Sequence, residues 1–418
     1  MDVGGLRVNG KRLLSSFERM AEIGATAGGG VQRLALTAED KQARDVLVSW
    51  LQELGLDVVV DEMGNVFCRR RGKDDGLSPV MTGSHSDTQL KGGRFDGILG
   101  VMGALEVLRT LEEHQVDTER PVILIDWMSE EGSRFAPSKL GSGVWAGKLA
   151  RDWAWQRTDA NAMVFGEELE RIGYKGDLPC TRWPFHAYYE LHIEQGPLLE
   201  AAGRTIGVPK GIVCLHVYDI YLDGKANQVG PTPMEGRSDA LVAAAEMILK
   251  VRELPAKMGG NMVATVGELQ NHPNSRNVIP DRVHFTVDIR SWDDDLALRS
   301  WGDIRADFEA IAARHGCPLR IAEPWRVRHT EFAPHLVERV RSTAEALGYS
   351  TLPMVSGAGH DATYAAMVGP AAMIFVPSIG GRSHVEVEST SWEDCEAGAN
   401  VLLNCVVQSA NEGGTKSG

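Results

Sequence analysis

The string Gly83-Ser-His85-Ser-Asp87, with Asp96 nine residues further on in Gly93-Arg-Phe-Asp96-Gly, brings an imidazole and two carboxylates into one short span. Imidazole nitrogen and carboxylate oxygen together suit a borderline divalent cation such as zinc. The aspartate two residues beyond His85 is placed to hold the second ring nitrogen, as metal-binding histidines require. Glu130-Glu131 is a further candidate. Adjacent glutamates are usually a solvated pair, but at the end of a buried strand they repel unless a cation shares the site. One would then bind the cation and the other move protons. His192, in Leu191-His192-Ile-Glu194-Gln195-Gly-Pro197, and His384, in Ser383-His384-Val-Glu386, are groups that could complete a two-metal site. Most of the twelve histidines read differently. His114, His186, His216, His315, His329 and His335 lie in helical or mixed contexts without evident acidic partners.

Such groups need a scaffold that gathers them. The apolar run Pro79-Val-Met-Thr reads as a strand ending near His85, and Val122-Ile-Leu-Ile125 as one ending before Glu130. A helix over 97–113 between them implies a parallel sheet, whose strand ends are where open α/β folds collect reactive groups. Ahead of it, Leu13, Leu14, Phe17, Met20 and Ile23 recur at helical spacing. Thr37-Ala-Glu-Asp40 caps a second helix ending at Gly55, and 58–60 with 66–68 reads as a hairpin. After Gly211 the texture changes. Strands near 213–222, 262–266, 283–289 and 319–322 alternate with helices over 238–254 and 294–315, and the strand at 283–289 has one wet face. The order β-α-β-β-α-β predicts a ferredoxin-like α+β insertion. Signals of the first kind resume at 336–347 and 371–376, and a Gly/Ser-rich tail begins at Gly413. The expected fold is therefore α/β: a discontinuous domain with a mostly parallel sheet flanked by helices, interrupted by a smaller α+β domain.

A chain of 418 residues exceeds what one hydrophobic core usually supports. Its 43% hydrophobic and 24% charged content is that of a globular protein. The net charge of −14 argues against nucleic-acid and anionic-membrane partners. Six scattered cysteines with no C-x-x-C pair suit reduced thiols, and no run approaches a membrane span, so a cytoplasmic setting is expected.

The strings GSHSDT…GGRFDGILG, SEEGSRF, ELHIEQGP, NVIP…DIRS, SGAGHDA and SHVEVE resemble, in order along nearly the whole chain, the dinuclear-metal amidohydrolases. That family includes N-carbamoyl-L-amino-acid hydrolase, β-ureidopropionase and allantoate amidohydrolase. The resemblance implies a catalytic domain over 1–212 and 331–418, and a lid and dimerisation domain over 213–330. It implies two divalent ions per subunit (zinc, manganese, cobalt or nickel), one held by His85 and His192, the other by Glu131 and His384. Asp96 would bridge them, Asp87 would orient His85, and Glu130 would be the general base. Gln195 would meet the substrate's amide or ureido group, Asn277 and Arg290 its carboxylate, while Gly359 and His360 would shape the pocket. The implied reaction hydrolyses the carbamoyl group of an N-carbamoyl amino acid to the amino acid, carbon dioxide and ammonia. Allantoate or ureidoglycolate-type amidohydrolysis, N-acyl amino-acid deacylation, and ureido binding without turnover are the alternatives.

One departure stands out. Where the family usually carries a histidine, in a string of the form A-N-H-A-G-P-T-P-M, this chain has Gln228 in Ala226-Asn227-Gln228-Val229-Gly230. That histidine donates to the oxyanion of the tetrahedral intermediate. A glutamine amide can donate but cannot be cationic or exchange protons. Loss of one good oxyanion donor costs roughly 10²–10³ in turnover.

Overall fold

In the computed structural model, which describes residues 5–413, the chain divides into two compact units. One comprises the segments Met1–Gly211 and Glu331–Gly418, the other Ile212–Thr330. The tail after Gly413 lies outside the described residues.

The larger unit opens with the helices Gly10–Glu22 and Ala38–Glu53. The second starts where expected, with Thr37 Oγ1 accepting from the Asp40 amide at 3.3 Å. Strands β1 (Asp57–Val60) and β2 (Val66–Arg70) form the hairpin. Then come β3 (Val80–His85), the helix Ile98–Glu113, β4 (Val122–Trp127), β5 (Ala187–Ile193) and β6 (Ile206–Ile212). The insertion holds β7 (Cys214–Asp223), β8 (Val263–Thr265), β9 (Leu269–His272), β10 (Arg282–Ser291), β11 (Leu319–Ile321) and β12 (Trp325–Val327). The chain returns through β13 (Thr330–Glu331), β14 (Thr351–Ser356) and β15 (Ala371–Val376), ending on the helix Trp392–Ala410.

The large sheet runs β1-β2-β4-β3-β5-β15-β6-β13, with β14 on β6. Its centre is parallel: β4 with β3, β3 with β5, and β5 with β15. Every residue of β3, β4, β5 and β15 is buried, which requires cover on both faces. Alternation along β4 shows how. Val122 and Leu124 enter a core shared with the helices at 10–22, 38–53, 98–113 and 392–410. Trp127 points the other way, into an aromatic cluster with Phe67 and Trp145.

Beneath the strand ends, two fully buried guanidinium groups tie helices to the sheet. Arg44 meets Asp40 at 2.9 Å and Asp126 at 3.0 Å, all three side chains being wholly inaccessible. Arg33 donates to the carbonyls of Ser86 at 2.7 Å and Met20 at 2.9 Å. Buried charge is tolerable because Arg44 is paired with carboxylates and Arg33 is hydrogen-bonded to carbonyls.

In the smaller unit the sheet order β11-β7-β10-β8, all neighbours antiparallel, is the ferredoxin-like arrangement. Helices Ala240–Met258 and Asp294–His315 cover one face. Strand β9, also paired with β10, is an addition to the expected order. Among the described residues no helix is long and apolar enough to cross a membrane.

Candidate active site

The ends of β3, β4 and β5, with the loop after β15, bring five of the candidate ligands together. His85 is the last residue of β3, and His192 lies one residue before the end of β5. Each ring is oriented by a backbone carbonyl: Nδ1 of His85 donates to Asp87 O at 3.0 Å, and Nδ1 of His192 to Ile193 O at 2.9 Å. A carbonyl only accepts, so both Nε2 atoms are left as donors of a lone pair toward the site. The His85 and His192 Nε2 atoms lie 3.7 and 3.1 Å from Asp96 Oδ1. The other oxygen, Asp96 Oδ2, is 3.2 Å from His384 Nε2, which is 3.5 Å from Glu131 Oε2. Two groups able to hold a metal ion result: His85, Asp96 and His192, and Asp96, Glu131 and His384. Asp96 is common to both, one oxygen to each.

The next residue, Gly97, cannot be replaced cheaply. Its φ is +67°, and a Cβ there would sit 2.3 Å from the His85 ring. Ser129, Lys139, Gln195 and His384 also adopt left-handed backbone. Such conformations cost about 1–3 kcal/mol each and concentrate where geometry serves function.

The donor set fits a divalent cation on physical grounds. Glu131 is pushed well above the usual carboxylate range by burial and then by the charges of Asp96, Glu130 and Asp87. Buried carboxylates this close cannot all ionise unless positive charge joins them. Glu130 Oε1 and Gln195 Oε1 are buried with no hydrogen-bond partner. Burial also opposes charge on His192, but its hydrogen bond to Asp96 and that carboxylate's charge outweigh burial, pushing the imidazole up to about 9. The Asp96 carboxylate thus favours a proton on this ring, and a cation must compete with it. We expect cation binding to the chelated protein at pH 7 to release protons, with affinity rising until the pH passes about 9. Calorimetry in buffers of different ionisation enthalpy measures this, and a buffer-independent heat would show His192 to be neutral.

Several sequence expectations change in detail. Asp87 does not hold His85 through its carboxylate, whose nearer oxygen is 3.7 Å away. It accepts instead from the backbone amides of Glu130 and Glu131 at 3.1 and 3.2 Å, so it sets the Glu130–Glu131 turn, and its carbonyl serves His85. His360 is 2% exposed, packs edge-on against His192 and meets Ser356 Oγ at 3.0 Å. Gly359 lies close to Lys139 Nζ. Gln195 turns its amide onto the ligands, donating to Asp96 Oδ2 at 2.8 Å. Gln228, Asn277 and Arg290 belong to the smaller unit. There Val229 N donates to Asn277 O at 3.1 Å, while Arg290 on β10 pairs with Asp288 at 3.0 Å.

Other participants carry no local signal. Glu388 accepts from the Phe95 and Asp96 amides at 2.9 and 3.0 Å and from Ser383 Oγ at 2.7 Å. It thereby ties the Asp96 loop to the His384 loop. Lys139, 5% exposed, lies 3.7 Å from Glu130 Oε1. Four histidines first read as lacking acidic partners have them: His186 with Glu412, His315 with Glu246, and His216 and His329 with Asp294.

Residues 81–408 match the model of peptidase family M20/M25/M40. An N-carbamoyl-L-amino-acid amidohydrolase of Rhizobium meliloti is 43% identical over 97% of each chain. An allantoate amidohydrolase of Bacillus subtilis is 34% identical over 94% of this chain and 96% of its own. A crystal structure of an amidase of the hydantoinase/carbamoylase family from Burkholderia vietnamiensis superposes with a TM-score of 0.94 at 47% identity, covering 97% of this chain and 98% of that one.

Proposed function

The chain belongs to peptidase family M20/M25/M40, and we propose that within it the protein is a metal-dependent amidohydrolase cleaving the carbamoyl group of an N-carbamoyl amino acid. The observation that carries this reading is the divided Asp96 carboxylate, one oxygen facing His85 and His192 and the other His384, with Glu130 alongside. His85, His192 and Asp96 Oδ1 would hold one divalent ion, and Asp96 Oδ2, Glu131 and His384 a second. Such ions polarise the scissile carbonyl and make water a nucleophile near neutral pH. That help matters for a ureido carbon, into which two nitrogens donate.

The protein's own groups do the rest. Glu130 takes a proton from the attacking water at Oε1, which has no hydrogen-bond partner, and passes it to the departing nitrogen. The Asp87 carboxylate keeps the Glu130 backbone in place for both transfers. Gln195, already directed at the ligand cluster, presents an amide to the ureido group. Arg290 and Asn277 take the substrate carboxylate, the guanidinium through two parallel hydrogen bonds. Gln228 donates to the developing oxyanion as a neutral amide. Zinc, manganese, cobalt or nickel suit the mixed ligands. A homodimer formed through the inserted unit, in the cytoplasm, completes the proposal; six free, buried cysteines are consistent with a reducing setting.

The test is ammonia release from a panel of N-carbamoyl amino acids, allantoate and N-acyl amino acids, using protein reconstituted with each of the four metals. Turnover should be highest with a carbamoyl amino acid, and Gln228→His should alter it by at least tenfold if that amide serves the oxyanion. Faster hydrolysis of allantoate or an acyl amino acid would reassign the substrate, and silence with every metal would reduce the protein to a ureido-binding homologue.

A further inference from the structure

A second convergence of metal-binding groups lies in the inserted unit, where the proposed hydrolysis has no use for it. Cys214 and His216 are the first and third residues of β7, so the twofold alternation of a strand places both on one face, and both are buried. That face is the one packed under the two helices. Asp294, the first residue of the helix Asp294–His315, is 8% exposed and reaches the same point. One donor atom from each of Cys214, His216 and Asp294 lies within 4.8 Å of the other two. Donors around a tetrahedral zinc ion stand roughly 3.3–3.8 Å apart, a separation these atoms can reach within that bound.

The contacts of Asp294 are those of an oriented ligand. Its Oδ2 accepts from His329 Nδ1, with Arg328 Nε 3.6 Å away. Its Oδ1 accepts from the His329 amide at 3.2 Å and faces His216 Nε2 at 4.0 Å, too far for a hydrogen bond. His216 Nδ1 is approached by the Tyr218 hydroxyl at 3.5 Å. A buried imidazole and a buried carboxylate thus stand apart across a gap beside a thiol, with His329 fixing the carboxylate from behind. Outer partners of this kind accompany ligating groups in metal sites.

We propose that Cys214, His216 and Asp294 Oδ1 form a separate zinc site, with His329 as the outer partner of Asp294 and a fourth position open to water. Sulfur, nitrogen and oxygen donors at three corners are a zinc set, and the thiolate separates it from the all-nitrogen-and-oxygen catalytic cluster. The ion would fasten the start of β7 to the start of the helix at 294.

Cobalt substitution of the chelated full-length protein tests this, because only thiolate coordination produces sulfur-to-cobalt charge-transfer absorption. Such a band should appear with cobalt, saturate at one equivalent in Asp96→Asn and vanish in Cys214→Ser. His329→Ala should retain the band with affinity lowered roughly 10–100-fold. His216→Ala, which leaves the thiol in place, gives a second reading if the serine variant does not fold, and should also abolish saturable binding. A saturating band unchanged in Cys214→Ser, or no band at all, would overturn the site. Because Asp96→Asn disables only the catalytic cluster, failure here and failure of the proposed hydrolysis are read separately.

Discussion

Asp96→Asn should eliminate hydrolysis, by at least about 1,000-fold or 4 kcal/mol of transition-state stabilisation, and should remove divalent metal from both catalytic groups at once. The two side chains share a shape, so the fold should survive, as far-ultraviolet circular dichroism will show. An amide offers one weak oxygen donor where the carboxylate offers two charged ones, and each of those faces a different set of imidazoles. Loss of an outer partner typically costs 10–100-fold in affinity; removal of a group common to both sites must exceed that. Metal analysis after gel filtration is the decisive measurement. A variant retaining half of its catalytic metal would mean that Asp96 serves one ion, and retention of all of it would remove Asp96 from the ligand set.

Glu130→Gln should lower kcat by about 10³–10⁴-fold while leaving metal content and KM close to those of the parent, since a general base contributes roughly 10²–10⁴ and this one is asked to serve twice. Glu130 contacts the cluster only at 3.7 Å, to His85 Nε2, so its charge is not needed to assemble the ligands. The glutamine can still hydrogen-bond to water but cannot accept its proton. Loss of metal in this variant would make Glu130 a ligand. Unchanged kcat would assign the proton transfer to a group other than Glu130.

Much of this architecture is written locally. Apolar runs at 80–82 and 122–125 mark central strands because their residues must be buried on both faces, and the alternation at 283–289 marks a half-wet strand. The ferredoxin-like order follows from element sequence alone. The five candidate ligands were legible because their residue types are unusual at strand ends. What escaped was the support behind them. Glu388 acts on Asp96 from 292 residues away, and Asp294 draws in His216 and His329 from different elements. Neither contact has a period or a spacing to betray it. The Asp87 contact differs for a related reason: proximity in sequence suggested that its side chain would hold His85, whereas its carbonyl does so and the carboxylate is committed to the distant 130–131 turn. The pairing of Arg44 with Asp126 was equally invisible, since only the packed helix reveals it.

The junction of Glu388 with Asp96 carries a consequence for biosynthesis. Everything from His85 to His192 leaves the ribosome well before residue 384, so the nascent polypeptide carries half a metal centre while the inserted unit is being made. Contacts spanning 292 residues close late, and topologies dominated by them mature slowly. The translated N-terminal half on its own should therefore be catalytically silent, and competence should arrive abruptly with the last forty or so residues.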